Sequence, residues 1–271
     1  MSNQVEKCEA FHRLHGSDES WVIPNPWDVG SAKLLQGMGF KALATTSYGF
    51  AFTLGRGDGA VSLDEKVQHC SDLAAATSIP INADFENGFS DDIAAMRGNI
   101  KTVVASGIAG LSVEDFSRDK KEIYAFTESV ERVNAAAEAT KEAGVPIVFT
   151  ARAENLLRGI DDLEDTIKRL QAYAEAGADV LYAPGISSLE QLNQVCSAID
   201  KPFNVLAPMI KGCTVQQLSA AGATRISVGG ALTRAVLTPL LSAGKEMLDE
   251  GSFNWVGELA SGKEVNQLLE S

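Results

Sequence analysis

Long apolar runs are missing from this 271-residue chain. No stretch approaches the roughly 20 residues that a membrane helix requires, and the opening segment MSNQVEKCEAFHRLHG lacks the basic-then-apolar order of a secretory signal. Those absences exclude a membrane partner and place the expected protein in the cytoplasm. Basic residues are also scarce. Against 36 Asp and Glu stand 23 Lys and Arg, a net charge of −13, and nucleic acids or anionic bilayers are held by surfaces of the opposite sign. The four cysteines, Cys8, Cys70, Cys196 and Cys213, have neither paired nor metal-type spacing, so they read as reduced thiols. The three histidines, His12, His15 and His69, fall on helical segments away from any strand end, where a catalytic role is not expected. No Pro-, Gly- or Ser-rich linker divides the chain. One domain spanning 1–271 is expected, and the partner left is a small molecule.

What is present is a globular balance, 45% hydrophobic and 22% charged, arranged as a weak repeat. Polar-patterned helical stretches end in a glycine turn that feeds a short apolar strand, as in QGMGFKALATTS, VASGIAGLSVED, KEAGVPIVFTARA, EAGADVLYAPG and AAGATRISVGG. With WVIPN, SIPINAD and KPFNVLA these make eight strands, starting near 21, 42, 79, 110, 146, 179, 202 and 224. They are near-continuous apolar runs, as parallel strands buried on both faces require. The fold class predicted is α/β, a (β/α)8 barrel over about 20–245, with a doubly wound open sheet as the runner-up. A helical extension is expected over about 246–271. It carries Phe253, Trp255, Val256 and Leu259, then Val265, Leu268 and Leu269. So much apolar surface needs cover from the barrel or from another subunit.

In a barrel, chemistry sits where apolar strands turn polar at their carboxyl ends. Those ends carry Asn25 and Asp28, then Thr45, Thr46, Ser47 and Tyr48, then Asn82, Asp84 and Glu86. The fourth strand ends at Glu114 and Asp115, the fifth at Arg152 and Glu154, and later strands offer Tyr182, Asn204 and Ser227. Side chains two apart on a strand share a face, so Asn82 and Asp84 point together into the mouth and Ala83 points toward the helices. Converging carboxylates suit a hard cation such as Mg²⁺, and a guanidinium suits the anionic group of a substrate. The plainer alternative is that these carboxylates cap helices or pair with Arg152. Asp28 reads most simply as a helix N-cap, and Asn204 inside its strand can equally be satisfying buried hydrogen bonds.

The segments PNPWDVGSAKLLQGMGFKALATTS, GRGDG, INADFENGF, GLSVED and FTARAE, over about residues 20–235, resemble the isocitrate lyase/phosphoenolpyruvate mutase superfamily, closest to its short-chain members acting on α-oxo acids or phosphonates. The resemblance implies a lyase or mutase that cleaves or rearranges a C–C or P–C bond beside a carboxylate through an enolpyruvate-like anion. It implies Mg²⁺, with Mn²⁺ as an alternative, held by Asp84, Asn82, Glu114 and Asp58. By motif it assigns substrate binding to Thr45, Thr46, Ser47, Tyr48, Arg152 and Asn204, and catalysis to Asp58, Arg152, Glu114 and Tyr48. The proton-transfer group stays open among Asp58, Tyr48 and a lysine of residues 117–122. Oxaloacetate decarboxylase and phosphonopyruvate hydrolase are narrower forms of the same activity. The resemblance further implies a homotetramer, a dimer of dimers exchanging a late helix. Two departures stand out: Asn82 replaces the family's metal-binding aspartate, and FSRDKKEIYAF carries no cysteine where the isocitrate and methylisocitrate lyases use one. These keep a rival of another class in view, a catalytically weak barrel that binds an α-oxo acid.

Overall fold

The computed structural model describes residues 2–17 and 19–270. Helix α1 (Ser2–His15) precedes the first strand, and the chain then alternates: β1 (Trp21–Ile23), α2 (Val29–Gly37), β2 (Leu43–Ala44), α3 (Ser47–Thr53), α4 (Leu63–Ala76), β3 (Ile81–Asp84), α5 (Ile93–Val104) and β4 (Gly110–Glu114). A hairpin, β5 (Phe116–Ser117) and β6 (Glu122–Ile123), leads into α6 (Phe126–Glu142). The second half continues with β7 (Val148–Arg152), α7 (Leu163–Glu175), β8 (Val180–Tyr182), α8 (Leu189–Ser197), β9 (Phe203–Leu206), α9 (Val215–Ala220) and β10 (Arg225–Ser227). It ends in α10 (Ala231–Asp249) and α11 (Gly262–Glu270).

The eight long-sheet strands run in the order β1-β10-β9-β8-β7-β4-β3-β2, and their pairings are parallel. Each strand lies beside its predecessor of the series without reversal, which overturns the doubly wound alternative, whose order must reverse at a switch point. The seam between β1 and β2 is drawn together by the Ala44 N–H donating to the Pro24 carbonyl (3.0 Å). This is a (β/α)8 barrel. All eight expected strands are present, shifted by two residues at most. Buried side chains such as Leu43, Ala83, Leu111, Phe149, Leu181, Val205 and Ile226 form the core between strands and helices. Asp28 caps α2, accepting from the Ser31 N–H (2.7 Å), as expected.

Two glycines let the second β/α unit pack closely. A Cβ on Gly49 would stand 2.5 Å from Thr233 Oγ1 and 2.8 Å from Trp27 Cβ, and one on Gly230 would stand 2.9 Å from the Tyr48 ring. Helix α3 is thus pressed against the start of α10. In the single chain α11 packs against α2, so exchange of this helix between subunits is not part of the described structure. Leu240, Leu241 and Leu248 of α10 and Phe253, Val256 and Leu259 beyond it remain exposed, Leu248 at 88%.

Candidate active site

At the carboxyl ends of the strands lies a cavity of about 190 Å³, lined among others by Asn25, Thr46, Ser47, Tyr48, Asp58, Asn82, Asp84, Arg152, Tyr182, Asn204 and Arg225. Arg152 organises one wall. Glu114, Arg152 and Tyr182 are register partners on the adjacent strands β4, β7 and β8, so their side chains emerge side by side. The guanidinium reaches Asp84 Oδ1 (2.6 Å), Glu114 Oε2 (3.2 Å) and Glu154 Oε1 (2.7 Å), with the Tyr182 ring 5.0 Å away. Arg158 neutralises the far side, meeting Glu154 Oε2 (3.2 Å) and Glu114 Oε1 (3.5 Å).

These neighbours decide the charge states. Burial pushes the Asp84 carboxyl up, but Arg152, then Lys66 and the hydrogen bonds from Ser47, outweigh it and hold it below the usual carboxylate range. Glu114 goes the other way: burial and the nearby Glu154 raise it well above that range, and Arg152 recovers only part. Two carboxyls shifted in opposite directions therefore stand on the same guanidinium.

The remaining parts of the mouth are held by neutral contacts. The Ser47 N–H donates to Asp84 Oδ2 (3.2 Å), and Thr46 caps α3 by accepting from the Gly49 N–H (3.4 Å). Thr45 Oγ1 accepts from the Asp84 N–H (2.9 Å) and from Lys66 Nζ (2.8 Å). Below them, Arg225 donates from Nε to Asn204 Oδ1 (2.8 Å) and from a terminal nitrogen to Thr150 Oγ1 (3.1 Å), and contacts His15 Nε2 (3.2 Å). This second guanidinium has neutral partners, and burial lowers its pKa to about 9. Asp58 lies on the exposed loop between α3 and α4. Arg118 of the hairpin reaches across to that loop, donating to the carbonyls of Gly59 and of Val61 (3.1 Å), and pairs with Glu86 (2.7 Å). Burial raises the Glu86 carboxyl to about 7 against the pull of Arg118.

The sequence profile of phosphoenolpyruvate phosphomutase matches residues 11–248. The chain belongs to that family. A solved Burkholderia cenocepacia protein, described provisionally as a lyase/mutase, superimposes with a TM-score of 0.95 at 42% identity, over 100% of this chain and 98% of its own. The 2-methylisocitrate lyase of Escherichia coli is 30% identical and the oxaloacetate decarboxylase of Pseudomonas entomophila 27% identical, each over 72% of this chain and 68% of the relative. At the level of fold, a phosphonopyruvate hydrolase solved with oxalate and magnesium matches 97% of this chain and 95% of its own, with a TM-score of 0.85 at 21% identity. This protein is accordingly an enzyme of the isocitrate lyase/phosphoenolpyruvate mutase superfamily, whose members here are lyases, mutases and hydrolases of small acids.

Of the residues expected at the site, Thr45, Thr46, Ser47, Tyr48, Asp58, Asn82, Asp84, Arg152 and Asn204 all line the cavity, and Glu114 stands behind Arg152. Two are committed elsewhere: Thr45 Oγ1 supports Asp84, and both polar atoms of Asn204 are used, by Arg225 and by Ser227 (3.0 Å). The four expected metal ligands do not assemble as a ligand set. Asp84 and Glu114 converge on Arg152, Asp58 stands out on its loop, and the innermost position is the amide of Asn82. Asn82 Oδ1 is buried without a hydrogen-bond donor, but a neutral amide oxygen lacks the carboxylate charge that Mg²⁺ takes from a protein, and the neighbouring carboxylate of Asp84 is held by Arg152. Among the described residues no three His, Cys, Asp or Glu side chains are grouped to hold a metal ion. The donors present do not fit a resident divalent cation. Sequence reasoning missed Lys66 and Arg225. Lys66 sits in the inward stripe Leu63, Val67, Cys70, Leu73 of α4, and Arg225 alternates with Ser227 on β10; a charge at an inward position was the available signal in each.

Proposed function

We propose that this enzyme cleaves or rearranges a C–C or C–P bond of a small α-oxo or α-hydroxy carboxylic acid, leaving an enolpyruvate-like anion. Oxaloacetate decarboxylation and phosphonopyruvate hydrolysis are specific forms of this chemistry, and the names of two relatives support them. The observation that carries the reading is Arg152, fixed by Asp84, Glu114 and Glu154 at the wall of a cavity of about 190 Å³. The cavity is small and also carries the second guanidinium, that of Arg225. Two held cations in a confined cavity select a small anion, and the planar fork of Arg152 suits a carboxylate or a phosphonate.

In this reading Thr46 and Ser47 orient the substrate carboxylate. The bond between the carbon next to the oxo carbon and the departing group breaks, the group leaving as carbon dioxide or passing to water as phosphate; the electron pair forms a double bond to the oxo carbon, and the negative charge settles on the oxo oxygen, where fixed positive groups already stand. Tyr48 and Asp58, at the open side of the cavity, are the groups placed to move the proton that restores the carbonyl. Glu114, whose carboxyl burial holds well above the usual range, positions Arg152. No step is assigned to Mg²⁺ or Mn²⁺, because the donors do not fit one. The rival reading, an α-oxo acid-binding barrel without turnover, is favoured by the neutral Asn82. Pyruvate release from oxaloacetate, phosphonopyruvate and 2-methylisocitrate, set beside oxalate binding by calorimetry, separates the two. Turnover abolished by Arg152→Gln supports the enzyme, binding without turnover supports the rival, and neither binding nor turnover overturns both. We propose a cytoplasmic homo-oligomer, a dimer of dimers; the exposed apolar side chains of α10 and the segment after it support the assembly. Among the described residues no helix is long and apolar enough to cross a membrane.

A further inference from the structure

Helix α4 turns an apolar stripe toward the barrel, and Lys66 lies in it with 1% of its surface exposed. Its ammonium donates to Thr45 Oγ1 (2.8 Å), a neutral acceptor. Among the described residues no carboxylate forms an ion pair with it, whereas buried Arg152 and Arg169 each meet carboxylates. Burying an ammonium on so little is costly, and a helix face needs no charge to pack. The side chain is therefore kept for something other than stability.

Its surroundings say what. Thr45 Oγ1, which receives the Lys66 proton, also receives the Asp84 N–H (2.9 Å). Lys66 thus reaches the backbone end of Asp84 through one hydroxyl, while Arg152 holds the carboxylate end at 2.6 Å. His69, the nearest other titratable base on α4, is kept neutral: burial, then the charge of Lys66, lowers its pKa to about 3. The adjacent inward position, Asn82, carries no charge for a metal to neutralise. We infer that two fixed monovalent cations, Arg152 on the cavity wall and Lys66 buried behind Thr45, supply the positive charge that a divalent ion brings elsewhere, so that an anionic substrate binds without metal. Lys66 is a positioning residue acting through Thr45 and Asp84. The inference rests on the anionic substrate class proposed above.

The test uses the full chain, treated with EDTA and desalted. Oxalate binding is measured by calorimetry and Mn²⁺ binding by electron paramagnetic resonance. The expected results are an oxalate affinity unchanged by stripping and no stoichiometric Mn²⁺. Lys66→Met weakens oxalate binding about tenfold or more, and Lys66→Arg restores most of it. Methionine replaces a buried charge with an apolar chain of similar length, so the thermal midpoint holds or rises. One Mn²⁺ per chain that Asp84→Asn removes overturns the inference. So does oxalate binding that vanishes on stripping, an unchanged affinity in Lys66→Met, or a midpoint that falls along with the affinity. If the protein binds no oxalate in any state, the substrate reading fails instead, and the Mn²⁺ titration alone still decides whether these donors take a metal.

Discussion

Replacing Arg152 with methionine is the most informative single change, because it removes one cation from among three carboxylates. The side chains concerned are buried: Arg152 is 12% exposed, Asp84 18%, Glu114 7% and Glu154 0%. Breaking a buried ion pair by deleting one partner costs about 3–5 kcal/mol; here Arg158 still meets Glu114 and Glu154, and Asp84 is left without an ion-pair partner. At roughly 2 °C per kcal/mol for a chain of this size, the midpoint should fall by about 6–10 °C at pH 8. The pH dependence follows from the sign. Without the guanidinium Asp84 loses the partner that holds its carboxyl low, so its folded-state pKa rises above the unfolded value of about 4, and Glu114, already raised, goes higher. A raised carboxyl costs nothing below its unfolded pKa and its full penalty above its folded one. The deficit relative to wild type should therefore shrink as the pH falls from 8 toward about 5. Thermal unfolding of both proteins at one fixed concentration and several pH values is the assay. A deficit equal at pH 5 and 8, or one below about 2 °C at pH 8, would refute the claim that Arg152 is what permits these carboxylates to be buried together.

Three further outcomes are expected. Carbon-detected NMR should find the Glu86 carboxyl titrating near 7, and wild type should lose stability relative to Glu86→Gln as the pH rises from about 4.5 to 7; a midpoint near 4 removes the basis for both. Gly49→Ala forces a Cβ to within 2.5 Å of Thr233 Oγ1, and urea unfolding should show a loss of about 1–3 kcal/mol, whereas a neutral effect means that α3 is not pressed against α10 as described. Light scattering should give a homo-oligomer for the full chain and a smaller assembly after truncation at residue 250; a monomeric full chain excludes the proposed assembly.

Much of the fold was legible because its signals are local. A glycine that ends a helix and a short apolar run that follows are read within a dozen residues, and eight repetitions of that pattern imply a closed barrel. Strand-end chemistry was legible for the same reason: β-alternation alone turns Asn82 and Asp84 to one side, and both line the cavity. The C-terminal segment was less legible. Its apolar residues demanded cover, and α11 of the single chain lies on α2, a partner more than 200 positions away that the segment's own pattern does not name.

By itself, then, the sequence determined the β/α alternation, the family and the set of polar residues delivered to one end of the barrel. Tertiary structure decided what those residues do to one another. Asp84 and Arg152 are 68 positions apart and become partners at 2.6 Å because β3, β4 and β7 are neighbours in the sheet. That contact turns one expected metal ligand, Asp84, into the counter-ion of a guanidinium. Lys66 and Arg225 read in sequence as ordinary charges; burial makes them cations of the site, since a charge acts strongly only once water has been excluded from around it.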